Sequence, residues 1–355
     1  MVRPGVYGTD PGTEIDSFLV LIAAPGASSG SPVIFQKQSG TVIIERSGTA
    51  GTSDFLVLLS GADYHTFDGI DLRQRAGSNA LEFGYVVQAA TATDGAQSNT
   101  FKNYSVTLDA LTNPNVSIAM FMTLGAAATQ AGTNSNNRFY NFNLAGGTWG
   151  FQIFGTLGLP DLNTEIGILP GGASTSSYGH RTAFNGAVGF GNQDNIRVFN
   201  VEVVSGFQAG AVSLYSIAAP FAGSAIGTAY IYNNKVHGLV DSSLTTGNAR
   251  GIATVNLGTY HIYNNVVYNI FHATATSAFA AGISIENATT ANVYNNFVSD
   301  IKAPAGTGTT VPTVRGISAT GGIAANFYNN TVYLNAANTS VSRSSAAFYF
   351  TTVPQ

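Results

Sequence analysis

Four stretches in the C-terminal half repeat almost letter for letter: Ile231-Tyr-Asn-Asn-Lys-Val236, Ile262-Tyr-Asn-Asn-Val-Val267, Val293-Tyr-Asn-Asn-Phe-Val298 and Phe327-Tyr-Asn-Asn-Thr-Val332. Fainter copies precede them: Phe67-Asp-Gly-Ile-Asp-Leu72, Phe101-Lys-Asn-Tyr-Ser-Val106, Phe139-Tyr-Asn-Phe-Asn-Leu144 and Val198-Phe-Asn-Val-Glu-Val203. The shared frame is apolar, variable, Asn or Gly, two variable residues, then Val or Leu. Its third position reads Gly69, Asn103, Asn141, Asn200, Asn233, Asn264, Asn295 and Asn329, with gaps of 34, 38, 59, 33, 31, 31 and 34 residues. A recurrence of this length marks a chain built by stacking one small unit on the next.

A second apolar segment follows each copy across a loop rich in small residues, as in Ile283-Ser-Ile285 and Phe348-Tyr-Phe350. Gly251, Gly282 and Gly316 open several of these segments, where small residues permit a tight bend. No amphipathic helix long enough for a crossover separates the strands. Propeller blades have longer repeats and hairpin dipeptides such as Asn-Gly, which occurs here at Asn185-Gly186. The pattern therefore predicts an all-β, right-handed, single-stranded parallel β-helix of about eight or nine turns. Equivalent positions then lie about 4.8 Å apart, and the apolar ends of the frame form inward columns.

A column that takes only Asn or Gly predicts a left-handed bend between consecutive strands. Stacked Asn side chains can also satisfy one another along a buried ladder. The preceding position points outward and reads Asp68, Lys102, Tyr140, Phe199, Tyr232, Tyr263, Tyr294 and Tyr328. Its six aromatic members form a stripe with two readings: rings that shield the strands by stacking, or a contact surface for sugar or protein. Asp68 with Lys102, and Glu202 with Lys235, are expected to be neighbours.

Composition excludes several classes. Of 355 residues, 14 are Lys or Arg and 18 Asp or Glu, so 9% are charged, against roughly 25% in ordinary soluble chains. The net charge of −4 supplies no basic field for nucleic acid or anionic lipid. No apolar run approaches the ~20 residues of a spanning helix, so no membrane insertion is expected. With no Cys there is no disulfide framework, thiolate site or Cys nucleophile. The apolar run from Phe18 to Ala24 follows Glu14 and Asp16, which favours an opening strand or short helix over a signal peptide.

Catalytic signatures are sparse. His65, His180, His237, His261 and His272 lack metal-site spacing and read as surface or loop residues; no metal or cofactor is predicted. The richest polar cluster holds Asp63, His65, Asp68, Asp71, Arg73 and Arg75, with Glu82 and Asp109 on adjacent faces. Asp63, Asp68, Asp71 and Arg73 are the candidates for acid–base chemistry on an acidic sugar. The period breaks at about 156–195, which reads as an irregular insertion or extra turn.

The repeats resemble those of pectate-lyase-like parallel β-helix proteins. They are more similar still to large secreted surface proteins of Bacteroidota-type bacteria exported by the type IX route. The shared phrases are Pro32-Val-Ile-Phe-Gln36, Leu59-Ser-Gly-Ala-Asp-Tyr-His-Thr-Phe-Asp-Gly-Ile70, the Ile-Tyr-Asn-Asn segments, Asp300-Ile-Lys-Ala-Pro304 and Tyr328-Asn-Asn-Thr-Val-Tyr-Leu334. The polygalacturonase-like motifs are missing; the nearest, Tyr178-Gly-His-Arg181, lacks its partners. The resemblance implies an extracellular or cell-surface location and a non-catalytic structural or adhesive domain, a rigid spacer contacting polysaccharide or protein. The alternative is a polysaccharide lyase or glycoside hydrolase acting on acidic polysaccharide. Residues 1–40 are expected to cap the first turn and 41–355 to form the repeats. The strand-like end Ala346-Ala-Phe-Tyr-Phe350 suggests a piece of a longer chain, with end-to-end or lateral self-association as a further expectation.

Overall fold

The computed structural model describes residues 1–7, 19–48, 54–77, 81–108, 117–122, 127–170, 176–179, 186–204, 207–208, 214–221, 223–241, 247–273, 278–305, 311–335 and 344–351. They form an all-β chain whose parallel strands stack as a solenoid of about eight turns. The one helical element among them is the 3-10 turn Gln130–Gly132. Two compact units are distinguished: residues 1–177 with 192–197, and residues 178–191 with 198–355.

In the first unit, Val33–Gln36, His65–Asp68, Thr100–Thr107 and Arg138–Ala145 lie side by side in parallel, with Phe35, Phe67, Phe101 and Phe139 in register. Successive rings stack with centroids 5.0, 5.3 and 5.2 Å apart. Leu72, Val106 and Leu144 form the second buried column. The first forty residues take part in this pairing: Gly5–Tyr7 runs along Val42–Ile44, and Leu19–Leu21 along Val57–Leu59. Within the stretch expected as an insertion, Glu165–Gly167 is in register with Arg138–Tyr140, so the broken period contains a stacked coil.

In the second unit, Thr228–Tyr232, Thr259–Tyr263, Thr290–Tyr294 and Ala324–Tyr328 stack in register. In Thr228–Tyr232 half-exposed Thr228, Tyr230 and Tyr232 alternate with buried Ala229 and Ile231, and Thr259–Tyr263 alternates likewise about buried Tyr260 and Ile262, the two-residue period of a strand. The Asn residues of the repeat turn the chain. Asn200, Asn233, Asn264, Asn295 and Asn329 have φ between 52° and 57°, Asn103 and Asn141 of the first unit have φ 57° and 51°, and Gly69 has φ 75°. Asn tolerates this region because its short polar side chain bonds locally.

The buried amide ladder runs through the next residue. Asn234, Asn265, Asn296 and Asn330 point inward, and each Oδ1 accepts the backbone N–H of the equivalent residue one coil earlier at 3.0 Å. Their Nδ2 groups donate to the carbonyls of Val198, Ile231, Ile262 and Val293 at 2.8–2.9 Å. Gly251, Gly282 and Gly316 are likewise strand residues rather than bends. A Cβ on Gly251 would meet Val267 Cγ1 at 2.5 Å, and one on Gly282 would meet the Gly316 carbonyl at 2.8 Å. Close approach of two sheets is what requires glycine there.

His65 and His272 correct the surface reading of the histidines: both are buried strand residues. His180 and Asp109 lie outside the described residues.

Candidate functional site

The first unit carries a second left-handed corner that the Asn-or-Gly frame does not announce. Tyr64, Ser98, Asn136, Asn163 and Asn195 occupy it, with φ of 57–63°. Tyr64 and Ser98 are uncommon there, and held strain of this kind gathers at functional sites. Both line a cleft of about 420 Å³, together with Thr66, Thr100, Asn136 and Arg138.

Thr66, Thr100 and Arg138 are register partners on successive strands, so they share an outward row, and Arg138 pairs in turn with Glu165. Glu165 is the centre of a charged group. Its Oε1 accepts from Arg197 Nη1 at 2.9 Å, its Oε2 accepts from the Tyr140 hydroxyl, and Arg138 Nε lies 3.9 Å from Oε2. Tyr140 is 4% exposed. Burial and the bond to Glu165 push its phenol well above its ordinary pKa, so the hydroxyl keeps its proton at neutral pH. Lys102 stands beside Tyr140 in register and pairs with Asp68 at 3.2 Å. One carboxylate among two guanidinium groups, at the edge of a cleft, suits an anionic ligand and proton transfer.

The four acid–base candidates from the sequence do not converge on this cleft. Asp63 Oδ1 accepts the backbone N–H of Gln97 at 2.6 Å, and burial raises its pKa. Asp68 accepts from Asn103 Nδ2 at 2.7 Å and pairs with Lys102. Asp71 accepts the backbone N–H and hydroxyl of Ser105 at 2.7 and 2.8 Å, while Arg73 is bound to Glu45. Each joins one coil to the next.

The aromatic positions divide by unit. In the second, Phe199, Tyr232, Tyr263 and Tyr294 form one parallel stack with centroids 4.9–5.3 Å apart and planes within 6°. Their faces cover one another, which leaves the edges and hydroxyls of the three half-exposed tyrosines outward, while Phe199 is buried rather than exposed as its place in the frame suggests. Tyr328 departs from the stack at 46° and is 49% exposed. Glu202 and Lys235 meet at 2.7 Å as expected, joined by His237 at 3.0 Å.

No protein-family model and no curated protein matches the chain. Solved structures do. It is similar to the A-module of a mannuronan C-5 epimerase from Azotobacter vinelandii, at 11% identity over 92% of each chain, with a TM-score of 0.35. It is similar to a periplasmic alginate epimerase, at 10% identity over 88% of this chain and 78% of that one, with a TM-score of 0.39. It is also similar to a mannuronic acid specific polysaccharide family 6 lyase from human gut microbiota, at 10% identity over 96% and 85%, with a TM-score of 0.43.

These findings correct the expectation of a non-catalytic, structural or adhesive domain: the matching structures are named as polysaccharide epimerases and a lyase. At such identities the likeness is one of fold, and any chemistry has to come from this chain's own residues. Of those, sequence reasoning singled out Tyr140 but passed over Arg138, Glu165 and Arg197. Glu165 sits in the stretch where the period breaks, 27 residues after Arg138 and 32 before Arg197. Each of those spacings is one coil, which was the available signal.

Proposed function

We propose that the chain modifies an acidic polysaccharide, moving the proton on the carbon beside a uronate carboxylate, as in elimination or epimerisation. The observation that carries this reading is the cleft ending at Arg138, with Glu165, Arg197 and Tyr140 gathered behind it. Arg138 belongs to both the cleft and the charged group, and its exposed guanidinium binds the sugar carboxylate. Neutralising that carboxylate stabilises the negative charge that develops when the neighbouring proton leaves. Glu165 takes the proton, and Arg197 holds its carboxylate in place. Tyr140 donates to Glu165 from the protein side and fixes its orientation, and the protonated Glu165 passes the proton on to the leaving oxygen. An extracellular or envelope location belongs to the same reading, since polymeric uronates are met there.

Polymannuronate, polyguluronate and polygalacturonate incubated with the full chain in heavy water test it. The expected result is an unsaturated uronate seen by ultraviolet absorbance, or deuterium at the carbon beside the carboxylate seen by NMR. Glu165→Gln and Arg138→Ala should each reduce the rate by about 10²–10⁴-fold, and Tyr140→Phe should do so while leaving the Michaelis constant nearly unchanged. Absence of both products with all three polymers, or full activity in Glu165→Gln, overturns the reading.

A further inference from the structure

The second unit contains an alternating stack of aromatic rings and guanidinium groups. The Arg250 guanidinium carbon lies 4.9 Å from the Tyr215 ring centre and 5.0 Å from that of Phe279. Arg315 follows, 3.7 Å from Phe279 and 4.7 Å from Tyr349. Register explains the order: Tyr215, Arg250, Ala281 and Arg315 are partners on successive parallel strands. The small Ala281 leaves room for the Phe279 ring to lie between the two cations.

Both arginines are 5% exposed, yet their charges are not balanced. Glu286 takes Arg250 Nε and Nη2, the latter at 2.9 Å, and also accepts the Ser284 hydroxyl. Arg250 Nη1 is buried with no partner among the described residues. Arg315 gives its Nε–H to the Pro312 carbonyl at 2.8 Å, and neither Nη group has an acceptor among the described residues. Burial lowers the Arg315 pKa; the attraction of Tyr349 and Glu286 works against that and the repulsion of Arg250 adds to it. A buried guanidinium with donors left unmet is destabilised until an anion takes them, so a group held this way is poised for one.

We propose that Arg250 Nη1 and the Arg315 fork form a binding site for the carboxylate of a sugar acid. Two guanidinium groups and one carboxylate leave a single positive charge, which a monovalent anion cancels and a dianion overshoots. The planar fork matches the two oxygens of a carboxylate, and Phe279 and Tyr349 hold that fork in place by stacking on it. This site is independent of the cleft chemistry above and is read by binding alone.

Calorimetric titration of the full chain at low ionic strength, with sodium glucuronate, inorganic sulfate and inorganic phosphate in separate arms, tests the proposal. Saturable binding of glucuronate is expected, tenfold or more weaker in Arg315→Gln and several-fold weaker in Arg315→Lys, which keeps charge but loses the fork. Glu286→Gln should bind several-fold tighter, because it frees Arg250 for the ligand; a purely structural ion pair would give no such gain. Circular dichroism checks that each variant folds, and if Arg315→Gln does not, the Glu286→Gln and Arg315→Lys results decide. Absence of glucuronate binding, undiminished binding in folded Arg315→Gln, or no gain in Glu286→Gln overturns the site. Tighter binding of sulfate or phosphate overturns the carboxylate assignment.

Discussion

Two consecutive asparagines in the repeat do different work. Asn264 is exposed and sits at φ 57°, while Asn265 is buried and accepts the Asn234 N–H and donates to the Ile231 carbonyl. Asn265→Ala orphans two buried backbone groups of the preceding coil, each worth about 1–3 kcal/mol, so a loss of about 3 kcal/mol or more is expected in denaturant unfolding. Asn264→Gly should change stability by only a few tenths of a kcal/mol, because glycine adopts the same bend freely. The pair was legible as a motif, and the bend could be argued from the Asn-or-Gly column. The burial of the second asparagine had a signal that the frame passes over as variable, since the same position holds the apolar Ile70, Tyr104, Phe142 and Val201 in the fainter copies.

Between elements, the glycine column decides how closely two sheets approach. Gly282 faces Val298 and the Gly316 carbonyl. Gly282→Ala should cost about 1–3 kcal/mol through overpacking, read as a lowered unfolding midpoint, and Gly282→Val should cost more. The glycines are visible in the sequence and by themselves suggest bends, because sequence shows that a side chain is missing and not what fills the space. The aromatic stack poses the same problem. The sequence places Tyr232, Tyr263 and Tyr294 outward, while their coplanar contact comes from a near-constant coil length.

At the scale of the whole fold, Asp161 couples the first unit to pH. It is 1% exposed, accepts from the Asn134 backbone and from Gln193, and burial raises its pKa from 3.8 to about 7. Between those values the folded chain holds a proton that the unfolded chain has released, so stability falls as pH rises through that window and levels off above about 7. The full effect is at most ~4 kcal/mol. Melting temperatures from pH 4 to 8 should therefore decline, and Asp161→Asn should flatten the decline and be the more stable protein at pH 8. An unchanged slope in the variant assigns the dependence to other groups.

The sequence by itself determined the parallel strands, the stacked coil, the inward columns and the left-handed turn at each repeat, because all follow from local periodicity and backbone preference. The frame also placed the outward pairs Asp68–Lys102 and Glu202–Lys235, but only the tertiary structure decided which side chains meet where the coil length changes or the contact lies outside the frame. Arg138 finds Glu165 through a coil of 27 residues, whereas the clear repeats run 31 to 34, and Arg250 meets Phe279 across the gap left by Ala281. Alternation along a strand is set within a few residues. Adjacency between coils depends on the length of every loop between them, and that sum is fixed only when the chain has closed its turns.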